Sequence, residues 1–141
     1  MKENLFTPVI GVIGAVVTYL FGGWSAALIT LLIFMGVDYL TGILVAAVFK
    51  KSPKTETGTL NSNVGWRGLC KKGVTLMIVL IACQLDKFLG STIIKDAVII
   101  TFVLNEAISI IENAGLMGVP IPGIITKAIE ILKQKSEGEN K

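Results

Sequence analysis

Thr101, Asn105, Ser109 and Glu112 recur one helical turn apart, and Glu106 and Asn113 stand on the flank of the same stripe. Hydroxyls, amides and carboxyls at that spacing can hydrogen-bond, share protons or face water. No nucleophile with a base beside it appears among them. The opposite side of the same helix, with Ile100, Val103, Leu104, Ala107, Ile108 and Ile111, can lie against lipid or another helix. A second carboxylate, Asp38, falls near the middle of an earlier apolar run, with Thr41, Gly42, Val45 and Ala46 on its face. A carboxylate at the centre of a bilayer costs about 2.5–3.5 kcal/mol on insertion scales, so these side chains must face protein or water. Asp38 is then either a hydrogen-bonded structural acid between helices or part of a pore or proton-linked step.

The helices that position these groups are written in the composition. Of 141 residues, 52% are hydrophobic and 16% charged. That balance points to an all-α integral membrane protein rather than a soluble domain. The chain has no histidine and only two cysteines, Cys70 and Cys83. Zinc-type ligand sets, a disulfide framework and Ser/His/Asp or Cys/His catalysis are therefore not expected. No enzymatic activity, cofactor, metal or nucleic-acid partner is expected.

Four apolar segments follow in order, at residues 5–21, 24–49, 73–89 and 93–113, all within one membrane domain. The first is short for a hydrocarbon core of about 30 Å, because Thr7-Pro8 reads as a cap and first helical turn. A cleaved leader is the competing reading there, since Lys2 precedes it and Ser25-Ala26-Ala27 follows. Gly11/Ala15 and Gly14/Thr18 allow close helix contact. Trp24 suits an interface. Residues 50–72, rich in Lys, Gly, Ser, Thr and Asn, read as a basic loop. Residues 118–122, GVPIP, break the last long helix.

Beyond that break an amphipathic helix is predicted over residues 123–135. Ile124, Ile125, Ala128, Ile129 and Leu132 line one side, and Lys127, Glu130, Lys133 and Gln134 the other, as in a helix lying on a membrane surface. The tail, residues 136–141, reads as unstructured.

Charge sets the orientation. With four spans, Lys2, Lys50, Lys51, Lys54, Arg67, Lys71, Lys72, Lys127, Lys133, Lys135 and Lys141 share one side, and only Lys87 and Lys95 lie on the other. Both termini and the central loop are thus expected in the cytoplasm, with Arg67, Lys71, Lys72, Lys127, Lys133 and Lys135 at the membrane surface. In this topology Asp38 lies fourteen residues from Trp24, and Glu106 thirteen from Ile93. Both sit roughly 20 Å below the outer helix ends, in one polar layer. Two carboxyls at one depth can share a proton, bond to Asn105, or ring an oligomer axis.

Asp38-Tyr39-Leu40-Thr41-Gly42, then Asn61-Ser62 with Gly65, Gly68, Lys71 and Lys72, and finally Asn105-Glu106, Ser109-Ile110, Glu112-Asn113, Gly118, Pro120 and Pro122 form an ordered set. This set resembles the toxin-secretion/phage-lysis holin family of phages that infect Gram-positive bacteria, from about Leu31 to Leu132. The resemblance implies a small protein of the host cytoplasmic membrane that forms homo-oligomers. At a set time it opens lesions through which a lytic enzyme (endolysin), or in relatives a toxin, crosses. A channel or transporter subunit using the intramembrane carboxylates is the alternative, although no inverted repeat relates the two halves.

Overall fold

A computed structural model describes residues 4–139 as five helices, α1 (Phe6–Leu20), α2 (Ala26–Ala47), α3 (Ser62–Leu89), α4 (Ile93–Leu116) and α5 (Gly123–Glu139). Lys2 and Lys141 lie outside the described residues.

Local chemistry marks each helix end. The Ser25 hydroxyl accepts from the Leu28 amide at 3.1 Å and starts α2. The Asn61 side chain accepts from the amides of Asn63 and Val64 and starts α3. Gly90 ends α3 with φ +66°, a left-handed conformation that a side chain would resist. Gly118, at φ +79°, closes α4 before Pro120 and Pro122 redirect the chain. The start of α4 is capped from the preceding helix. Asp86 accepts from the Ser91 hydroxyl at 2.6 Å and from the amides of Ile94 and Lys95 at 3.1 and 2.8 Å. A buried carboxylate there satisfies orphan donors and meets the positive end of the helix dipole.

Helix α4 is the hub: α2, α3 and α5 all pack on it. Leu28, Leu31 and Met35 of α2, Val79 and Cys83 of α3, and Ile99 and Val103 of α4 form the core, with Leu132 of α5 packed against it. Helix α1 has no buried residue. It is tied through its C-terminal carbonyls, where Lys87 and Lys95 donate to Tyr19 O and Phe21 O at 2.9 and 3.0 Å and Gln84 donates to Leu20 O at 2.9 Å. Cations at a helix C-terminus are favourable by the same dipole argument.

Among the described residues, α2 and α3 are long and apolar enough to cross a membrane, and α1 is a shorter apolar helix. Helix α4 is 24 residues long but carries Lys95, Asp96, Glu106 and Glu112.

Three local expectations are revised. Residues 62–72, read as loop from their Gly and Asn content, are the first three turns of α3. Packing outweighs the weak helix propensity of Gly65, whose carbonyl accepts from the Tyr39 hydroxyl at 3.3 Å. The helix predicted to stop at residue 135 continues to Glu139, because Ser136 is buried against α4. Finally, α5 does not lie apart from the bundle; it packs along α4, its Ile129 and Leu132 half-buried there.

Candidate functional site

Lys72 reaches from the third turn of α3 into the space between α2 and α4. Its ammonium donates to Asp38 Oδ2 at 2.8 Å and to Glu106 Oε2 at 2.7 Å. The three side chains are 16%, 9% and 13% exposed, in the order Lys72, Asp38, Glu106. At that exposure solvent offers little compensation, so each charge depends on its partners. One ammonium faces two carboxylates, and neutral donors reach Asp38 as well. The Asn113 amide donates to Asp38 Oδ1 at 3.2 Å, to the Asp38 carbonyl at 3.3 Å and to Thr41 Oγ1 at 2.9 Å. The Thr41 hydroxyl donates in turn to the Asp38 carbonyl at 3.0 Å.

Gly42 lies beside this amide: a Cβ at that position would sit 3.8 Å from Asn113 Nδ2, in ordinary contact. Among the described residues no buried side-chain nitrogen or oxygen is left without a partner. The network therefore joins α2, α3 and α4 through fully satisfied polar contacts, where a partly satisfied one would weaken the bundle.

A cavity of about 260 Å³ opens beside the ion pairs, between α2, α3 and the intervening loop. Asp38, Lys72, Glu106 and Asn113 line its polar end, and Pro53, Thr55 and Leu60 contribute from the loop. Among the described residues no three His, Cys, Asp or Glu side chains converge as a metal site.

The polar residues of α4 divide into two sets. Glu106 and Asn113 turn inward to the network, and Ser109 is half-buried. Thr101, Asn105 and Glu112 are exposed on the outer side. Of the basic residues expected at a membrane surface, Arg67, Lys71, Lys127, Lys133 and Lys135 are exposed, whereas Lys72 is not. The signal for Lys72 was its register: Lys72, Leu76, Val79, Cys83 and Asp86 follow four- and three-residue steps along the face of α3 that turns inward. Lys71, one residue away, points elsewhere.

Among the described residues, apolar helices enclose a satisfied ionic layer, and two of them are long and apolar enough to cross a membrane. A model of the bacteriophage holin family matches residues 15–134, and the chain belongs to that family. It is 38% identical over 125 residues to an uncharacterized 14.9 kDa protein from the nagH 3′ region of Clostridium perfringens, covering 87% of this chain and 89% of that one. An uncharacterized Listeria innocua protein is 37% identical over 127 residues, covering 89% and 85% of the two chains. A probable holin of Bacillus phage phi105 is 28% identical over 120 residues, covering 84% and 82%. No solved structure matches.

Proposed function

We propose that this chain is a holin that accumulates in the bacterial cytoplasmic membrane, associates with copies of itself and, at a set time, opens lesions through which a lytic enzyme reaches the cell wall. The observation that carries this reading is the family match, which runs from within α1 through most of α5. The likeness to a probable phage holin supports it. In this reading α1 to α4 cross the membrane, with the N-terminus and the loop between α2 and α3 on the cytoplasmic side, where α5 begins before it runs back along α4. The consecutive antiparallel helices and the segregation of basic residues support that orientation. Helix α1, at 15 residues, spans about 22 Å and needs local thinning of the bilayer or a partner at its N-terminal end.

The ionic layer is structural in this reading. Lys72 couples α2 to α4, so the three helices move as one body until the lesion forms. The cavity beside Asp38 and Glu106 favours a second reading, a channel or carrier for a small solute. One experiment separates the two. Expressed in bacteria with and without a wall hydrolase that lacks its own export signal, a holin gives culture lysis only when both are present. A carrier gives solute-dependent flux through an intact membrane and no lysis with the hydrolase.

A further inference from the structure

The outward surface of the bundle has two sides of opposite character. On α2 the exposed residues Ile29, Ile33, Leu40 and Leu44 form an apolar stripe, and on α3 Met77, Ile81 and Leu85 form another. Lipid covers such surfaces without cost. The exposed stripe of α4, in contrast, contains Thr101, Asn105 and Glu112, with Ile108 between the last two.

Helix α5 extends the polar side. It leaves α4 through a six-residue turn and runs back along it, so that the Ser136 hydroxyl lies 3.4 Å from the Thr101 hydroxyl. Thr101 is eight residues from the start of α4, about 12 Å below that end at 1.5 Å per residue. Leu132 packs on the core formed by α2, α3 and α4. The contact line of α5 is thus Ile129, Leu132 and Ser136, at bundle depth. Flanking and opposite that line stand the exposed charges Lys127, Glu130, Lys133, Lys135 and Glu137, with exposed Ile124 and Ile131 among them. Charges at that depth do not face hydrocarbon.

We propose that α4 and α5 together form the side on which copies of this chain meet, with Asn105 and Glu112 of α4 and the exposed charges of α5 facing neighbours across a water-filled space continuous with the cytoplasm. The exposed charges of α5 are mixed in sign, Lys127, Glu130, Lys133, Lys135 and Glu137, so a second copy offers opposite charges to them, whereas an anionic lipid surface would repel the two carboxylates. This rests on the holin reading and adds the surface that the assembly uses.

The test uses the full chain with Cys70 and Cys83 replaced by serine and alanine, made in lipid vesicles that hold a fluorescent dye. Single cysteines are placed at Asn105, Glu130, Ile33 and Ile81. A charged thiol reagent present on both sides should modify Asn105→Cys and Glu130→Cys at least about tenfold faster than Ile33→Cys and Ile81→Cys, because the reactive thiolate forms only where water reaches. A short bismaleimide should convert Glu130→Cys to covalent dimers. A Thr101→Cys/Ser136→Cys pair should close an intramolecular disulfide in the same vesicles, which reports the depth of α5 whether or not the other variants assemble. Equal labelling at all four positions, no dimers at Glu130→Cys, or no disulfide in the pair would overturn the proposal. Dye retention by the unmodified chain would instead count against the holin reading, while the labelling and cross-linking would still decide which face the copies share.

Discussion

Asp38 and Glu106, on parallel helices and sixty-eight residues apart, are held on a single nitrogen, Lys72 Nζ, at 2.8 and 2.7 Å. Neither carboxylate needs lipid or bulk water while that nitrogen stays in place. The bundle thereby keeps three charges inside an apolar fold and ties its hub helix to two neighbours.

Removal of that nitrogen should cost more than removal of any other cation in the chain. Lys72→Ala leaves two carboxylates without their ionic partner, and a broken buried pair costs about 3–5 kcal/mol. Arg67→Ala and Lys71→Ala, at exposed positions, should stay within about 0.5 kcal/mol. Thermal unfolding in a mild detergent, followed by helical circular dichroism, checks the order. Equal stability of Lys72→Ala and Lys71→Ala would show that the ion pairs contribute nothing.

Asp38→Asn and Glu106→Gln should each leave membrane insertion intact, since a neutral amide is cheaper to bury than an unpaired carboxylate. Because both act on Lys72, their effects should not add, with a coupling of about 0.5–3 kcal/mol in a double-mutant cycle. The cycle is scored by unfolding in detergent and by the time at which lesions open. Simple additivity would mean that each carboxylate serves only its own helix.

Asp86→Ala should destabilise the α3–α4 junction by about 0.5–2 kcal/mol, the range for loss of a helix cap. Asp86→Asn retains one acceptor oxygen, enough for the amide of Ile94 or of Lys95 but not both, and should fall between the wild type and Asp86→Ala. Amide hydrogen exchange in the first turn of α4 is the local readout. Unchanged exchange at Ile94 and Lys95 in Asp86→Ala would argue against the cap.

The proposed orientation predicts that a cysteine introduced at Lys54 is not labelled by an impermeant reagent added outside intact cells before lesions open, whereas one introduced at Ser91 is. Labelling at Lys54 under those conditions would invert the topology.

Much of this arrangement could be read from residue spacing, and the part that could not has identifiable causes. Helical class follows from long apolar runs punctuated by Gly and Pro. The common depth of Asp38 and Glu106 follows from counting residues at 1.5 Å each from the helix starts. The bridging role of Lys72 was hidden because Gly65, Gly68 and Asn63 make its neighbourhood resemble a loop, and because composition does not tell an inward lysine from the outward one beside it. The place of α5 was hidden for a different reason. Its Ile and Leu stripe suits a lipid surface and a helix surface equally, and only the buried Ser136 beside Thr101 distinguishes them. On α4 the spacing identified a polar stripe, but its division into inward Glu106 and Asn113 and outward Thr101, Asn105 and Glu112 depends on where α2 and α3 pack.

The central claim is that this chain by itself breaches the membrane in which it accumulates. The most direct measurement is the membrane potential of bacteria, followed in time after induction of the chain alone. The account predicts a steady potential through a delay, then an abrupt collapse that does not depend on any added solute. A potential that never falls while the protein is present in the membrane, or that declines only when a particular solute is supplied, would contradict it.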